Sequence, residues 1–204
     1  MVIEGGGMGV ADGQPLTDVE LLFRLDRGDT DAFRHLFRRH ERTIYRAALA
    51  MTRSSWDAED VVSATFLELW KKRDHVRIVD GTVLPWLLTV ASYLAKNHLR
   101  AARRYQRLLA KVPLSEDAPD HADEVARMID ALPMTSAVEQ ALRELNSRDA
   151  SVLLLCVVRE LSVRDAAIAL GVPEGTVKSR LSRVKARLRV TLGAIAPRAD
   201  GAEA

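Results

Sequence analysis

Residues Ser162 to Arg189 read SVRDAAIALGVPEGTVKSRLSRVKARLR. A small residue, Ala167, stands four positions before a turn glycine, Gly171, and Leu170, Val172 and Val177 are spaced to close the angle between two short helices. This is the layout of a helix-turn-helix. In the second helix Val177, Leu181, Val184 and Leu188 recur at intervals of four, three and four, so they form one buried stripe. The opposite face carries Thr176, Ser179, Ser182 and Arg183, flanked by Lys178 and Arg180. Hydroxyl and guanidinium groups on such a face suit a major groove, and the helix start at Glu174–Gly175 points backbone amides outward. From Lys178 to Arg189 every charged residue is basic, which a merely solvated amphipathic helix does not require.

Working outward, the 204 residues suffice for one or two small domains with modest cores. Aromatics are scarce while leucine, alanine and arginine abound, which favours helices packed on helices. The formal net charge is only +2, so a uniformly basic coat protein is excluded and local charge decides the partner question. Arg100 to Arg107 and Lys178 to Arg189 are basic, whereas Ser115 to Asp130 is acidic. The single cysteine, Cys156, lies in the apolar run Val152 to Val158; it reads as a core thiol in a reducing compartment. The histidines His35, His40, His75, His98 and His121 show no metal-ligand spacing, and His98 falls on the apolar stripe of its helix. There is no Gly-rich phosphate loop, nucleophile elbow or HExxH pair, so no catalytic residue, metal or cofactor is expected. No apolar run reaches membrane-spanning length and the glycine-rich start is not a signal peptide, so a cytoplasmic protein without membrane contact of its own is expected.

Along the chain, Thr17 followed by Glu20 resembles a capping box opening a first helix through about Asp26. A second helix takes its apolar side from Phe33, Leu36, Phe37, Ile44, Ala48 and Met51. Ser54–Ser55 breaks the pattern before a third helix over about Trp56 to Lys72. A polar loop, Arg73 to Thr82, carries Asp80–Gly81 as a turn signal, and a fourth helix spans about Leu84 to Arg104 with Pro85 in its first turn. No segment reads as a convincing strand. The expected fold is all-α: two small helical domains joined by a flexible acidic linker. The expected boundaries are a disordered tail at 1–15, a first domain at 16–110, a linker at 111–136 with a helical turn near Asp123 to Leu132, a helix-turn-helix domain at 137–192, and a small-residue tail at 193–204 with no further domain after it.

The third helix has too many apolar residues for one buried face. Ala58, Val62, Thr65, Phe66 and Leu69 cluster on one side, while Leu67 and Trp70 sit on the other with Asp60, Ser63 and Ala64. Two apolar faces imply a partner. The pattern DAEDVVSATFLELW at 57–70, with LPWL at 84–87 and GVPEGTVKSRLSR at 171–183, resembles the extracytoplasmic-function (group 4) RNA polymerase sigma factors of the sigma-70 family. The resemblance covers about Asp18 to Arg189 and takes the two domains as sigma region 2, a four-helix domain, and sigma region 4, the helix-turn-helix domain.

What the resemblance implies is a transcription initiation factor and not an enzyme. Its partners would be core RNA polymerase, through the clamp coiled coil and the flap, promoter DNA, and an anti-sigma factor. It assigns Asp60, Ser63, Ala64, Leu67 and Trp70 to the clamp contact. It assigns Arg77 and Asp80 of the loop, with Tyr93, Lys96, Asn97, Arg100 and Arg103 of the fourth helix, to capture of the single-stranded −10 element. Thr176, Lys178, Ser179, Arg180 and Arg183 would read the −35 duplex. Many members carry Gln-Glu at the Ser63–Ala64 position and Asn at the Tyr93 position, so a weaker grip on core and a changed −10 preference are expected. The linker acids Glu116, Asp117, Asp120, Asp123 and Glu124 would mimic RNA charge near the transcript's exit path. Two other readings compete. A decoy that binds only an anti-sigma protein would not need the cationic groove face, and a helix-turn-helix repressor using 16–110 as a sensing or dimerisation domain would be a stable dimer on a palindromic site.

Overall fold

The computed structural model describes residues 10–11, 14–109 and 135–195. Four helices form the first unit: α1 (Asp18–Asp26), α2 (Thr30–Thr52), α3 (Ser55–Lys71) and α4 (Leu84–Leu109). The second unit holds α5 (Ser136–Glu144), α6 (Ser147–Val152), α7 (Val163–Leu170) and α8 (Glu174–Ile195). Most starts are written locally in side-chain caps. Thr17 accepts from the Glu20 amide while the Glu20 carboxylate takes the Thr17 amide at 2.7 Å, completing the capping box. Asp29, Ser54, Thr135, Asn146 and Ser162 cap α2, α3, α5, α6 and α7. Arg53 ends α2 at φ +60, and Gly171 ends α7 at φ +65.

In the first unit α2, α3 and α4 pack mutually and α1 closes against α2. Leu21, Leu25, Leu36, Ile44, Phe66, Leu69, Leu87 and Leu88 are fully buried there. Phe33 meets Phe66 edge to face at 6.2 Å and Phe37 meets it tilted at 4.7 Å, so three rings staple α2 to α3. In the second unit Leu142, Leu153, Leu154, Val177 and Val184 form the centre. The apolar run after α6, Leu153–Val158, winds as a π-helical turn in which the Arg159 amide donates to the Leu154 carbonyl at 3.0 Å.

The two units are packed together. α4 lies against α6 and α7, and α2 lies against α5. In the second unit α5 begins at Ser136 and α8 runs on to Ile195. The linker acids and the expected turn near Asp123 to Leu132 lie outside the described residues. Val10–Ala11 pairs antiparallel with Gln14–Pro15 inside the expected tail, and an isolated bridge joins Val79 to Thr82. Each pair flanks an Asp-Gly dipeptide, Asp12–Gly13 and Asp80–Gly81, which is the sequence signal for a tight hairpin.

Candidate nucleic-acid interface

Gly171 makes the turn between α7 and α8 in the left-handed region, where L side chains are strained. Val177, Val184 and Leu188 of α8 are buried, and Leu181 is half-buried, as their spacing requires. Lys178, Ser179 and Arg183 consequently stand exposed on the outer side, with Thr176 and Arg180 half-buried beside them. Ser179 Oγ donates to the Thr176 carbonyl at 3.0 Å. Lys178 lies 4.0 Å from Glu174, and Arg183 lies 3.8 Å from Asp149. Lys185, Arg187 and Arg189 continue the basic edge, all exposed.

In the loop before α4, Asp80 and Gly81 both take positive φ, +51 and +70, and the Val79 and Thr82 backbones exchange hydrogen bonds at 3.1 Å. Asp18 holds the base of that turn from beneath. This carboxylate is 3% exposed and accepts from four donors: Arg39 at 2.6 Å, His40 Nε2 at 2.8 Å, Thr82 Oγ1 at 2.6 Å and the Val83 amide at 3.0 Å. Burial alone would raise its pKa. The hydrogen bonds from His40 and Thr82, the charge of His40 and the Val83 amide outweigh burial and hold the carboxyl well below the usual range. This network leaves no local signal in the sequence, because its members lie far apart in the chain and each occupies an ordinary helical or loop position.

Tyr93, Asn97 and Arg100 of α4 are exposed, with Arg100 donating to Asn97 at 3.4 Å. Asp80 is exposed at the turn, and the Arg103 side chain lies outside the described residues. Arg77 reaches across to the second unit. A Cβ built on Gly171 would sit 2.5 Å from its guanidinium nitrogen. Lys96, expected on the DNA-facing side, is instead 6% exposed and donates to the Leu142 carbonyl and, at 2.9 Å, to the Arg143 carbonyl. Both carbonyls belong to the last turn of α5, where a cation also meets the negative end of the helix dipole. One α4 turn earlier, Ser92 is fully buried and hydrogen-bonded to Ser151 of α6. The polar stripe of α4 is thus covered in part by the second unit. The spacing of Thr89, Ser92, Lys96, Arg100 and Arg103 puts these polar residues on one face of α4 but carries no sign of that cover.

On α3, Ala58, Val62, Thr65, Phe66 and Leu69 are all buried, while Asp60, Ser63 and Leu67 are exposed and Ala64 is half-buried. Trp70 is half-buried, edge-on to Phe33 at 5.7 Å, with the Arg73 guanidinium 5.4 Å from its ring centre. His98, read as a core residue, is half-buried and 3.7 Å from Asp57. Cys156 is half-buried, and burial pushes its thiol up against the opposing pull of Lys185. Among the described residues, no group of three or more His, Cys, Asp or Glu side chains is placed to hold a metal ion, and no helix is long and apolar enough to cross a membrane.

The arrangement therefore offers a basic helix on one unit, a turn and polar helix face on the other, and an exposed apolar side chain at Leu67. Two family matches cover these parts: Sigma-70 region 2 over residues 36–105 and Sigma-70, region 4 over residues 135–188. The chain is 35% identical to the ECF RNA polymerase sigma factor SigM of Mycobacterium tuberculosis, over 87% of this chain and 85% of that protein. It is 33% identical to SigL of the same species, over 78% of this chain and 88% of that protein. Among solved structures it resembles CnrH in complex with the cytosolic domain of CnrY, with a TM-score of 0.54 and 22% identity over 87% of this chain and 97% of that one, a likeness of fold. By these matches, across both helical units, the chain belongs to the extracytoplasmic-function RNA polymerase sigma factors of the sigma-70 family.

Proposed function

We propose that this sigma factor lends promoter specificity to bacterial core RNA polymerase through three surfaces. The outer side of α3, with Asp60, Ser63, Ala64, Leu67 and Trp70, docks on the polymerase clamp coiled coil, and the second unit meets the flap. The outer face of α8, with Thr176, Lys178, Ser179, Arg180 and Arg183, reads the −35 duplex through base edges and phosphates. The Asp80–Gly81 turn with Arg77, and Tyr93, Lys96, Asn97, Arg100 and Arg103 of α4, captures the −10 strand. Unpairing there costs a few kcal/mol, and stacking plus cationic phosphate contacts offset it without fuel. Nucleotide chemistry belongs to the polymerase, and the factor acts in the cytoplasm, where an anti-sigma protein restrains it.

The observation that carries this reading is the exposure of Lys178, Ser179 and Arg183 on the side of α8 opposite its buried Val177 and Val184. Transcription by core polymerase from a promoter library, with every start mapped, tests it. Starts should share an upstream bipartite motif and vanish when Lys178, Arg180 and Arg183 are replaced by Ala. An absence of starts from a core that responds to another sigma factor would refute the proposal.

A further inference from the structure

The seam between the two units opens into a cleft of about 400 Å³. Tyr93 and Arg100 of α4 form one wall, and Arg148 of α6 with Arg180 and Arg183 of α8 form the other. The only carboxylate among its lining residues is Asp149, which is buried, held by the Asn146 amide at 2.9 Å and paired with Arg183. The side chains of Arg148 and Arg180 have no hydrogen-bond or ion-pair partner among the described residues.

Four guanidinium groups facing one opening repel each other, and protein walls weaken the screening of that repulsion. A flat groove-reading surface explains Arg180 and Arg183, and −10 capture claims Arg100, but neither explains why they converge on one opening with Arg148, which comes from a helix outside the groove-reading pair. The volume falls in the range of about 300–1,000 Å³ used for small ligands. Guanidinium forks match phosphate oxygens two at a time, and the exposed Tyr93 ring offers a plane on which a base can stack.

We propose that the cleft binds a chain of two or more phosphates, carried by a nucleoside di- or triphosphate or by inorganic oligophosphate, and that this anion clamps the two units together. Its consequence, though not its existence, rests on the function proposed above: a ligand that neutralises Arg180 and Arg183 removes two groups from the −35 duplex. Because the anion needs both walls, it favours the closed arrangement by mass action.

Calorimetric titration of the full chain with ATP, GTP, inorganic tripolyphosphate and inorganic phosphate, at matched ionic strength, tests the site. Saturable one-to-one binding is expected for the first three, with monophosphate far weaker. Arg148→Ala should weaken it about tenfold, whereas Arg187→Ala, on the exposed edge of α8, should not. Tyr93→Ala separates the sources: weaker ATP and GTP with unchanged tripolyphosphate identifies a nucleotide, and no change in any identifies the phosphate chain alone. In a duplex-binding assay the ligand should lower affinity for −35 DNA in the wild type at concentrations about tenfold below those needed in Arg148→Ala. No saturation at millimolar concentration, or equal loss with Arg148→Ala and Arg187→Ala, would overturn the site in favour of diffuse charge attraction. The titration needs neither polymerase nor promoter, so its failure and a failure of the sigma reading are distinguishable.

Discussion

At the scale of single residues, Asp18 is the group on which most depends. One buried carboxylate joins the start of α1, two α2 side chains and the base of the Asp80–Gly81 turn, so its charge positions that loop from beneath while staying buried itself. The folded state holds its carboxyl below the ordinary 3.8, so in acid the unfolded chain binds more protons. The stabilisation is complete above that ordinary value and is lost as pH falls below it. Asp18→Asn should cost about 3 kcal/mol at neutral pH. In urea denaturation at stepped pH, the gap between wild type and variant should narrow as the solution is acidified below about pH 4. Gly171 gives a second test. Ala there carries a left-handed penalty of about 1 kcal/mol, and its methyl group also displaces the Arg77 guanidinium. Thermal unfolding should show a larger loss for Gly171→Ala with Arg77 present than in an Arg77→Ala background.

At the scale of elements, the sequence tells which side of a helix is apolar but not what covers it. For α3 that was enough: the 3.6-residue period separates Leu69, fully buried, from Leu67, 51% exposed. Leu69→Ala should cost about 2–5 kcal/mol in urea denaturation, while Leu67→Asp should leave stability within about 0.5 kcal/mol. The same Leu67→Asp should weaken capture by core polymerase at least severalfold in a pull-down titration, a loss that cannot be charged to unfolding. The cap at Thr17 and the turn at Gly171 were equally legible, because their chemistry is complete within four residues of chain. For α4 the period was insufficient. Ser92 and Lys96 lie on the polar stripe as the spacing requires, yet a hydroxyl and two main-chain carbonyls from the other unit satisfy them. Main-chain carbonyls at a helix end leave no trace in residue identity.

At the scale of the whole molecule, the consequence is that one set of polar groups has two claimants. A buried ammonium needs its full set of acceptors, and hydrogen bonds to charged groups contribute about 1.5–3 kcal/mol each. Lys96 therefore does not leave the Leu142 and Arg143 carbonyls unless an acceptor at least as strong receives it, and a DNA phosphate qualifies. If Lys96 serves the −10 strand as proposed, the units must part during initiation, and a covalent tie across the seam must block the step. Ser92 and Ser151 are in hydrogen-bond contact, so cysteines at both positions bring two sulfurs together from opposite units. With Cys156 replaced by Ser, the oxidised Ser92→Cys, Ser151→Cys chain should lose core-dependent transcription about tenfold or more, while far-UV circular dichroism stays unchanged. A reductant should restore activity to the level of the same chain never oxidised. Full activity in the oxidised state, with the bond verified by mass, would mean that Lys96 remains under α5 throughout initiation, and the −10 contacts would then fall to Tyr93, Asn97 and Arg100 on the part of α4 that stays exposed.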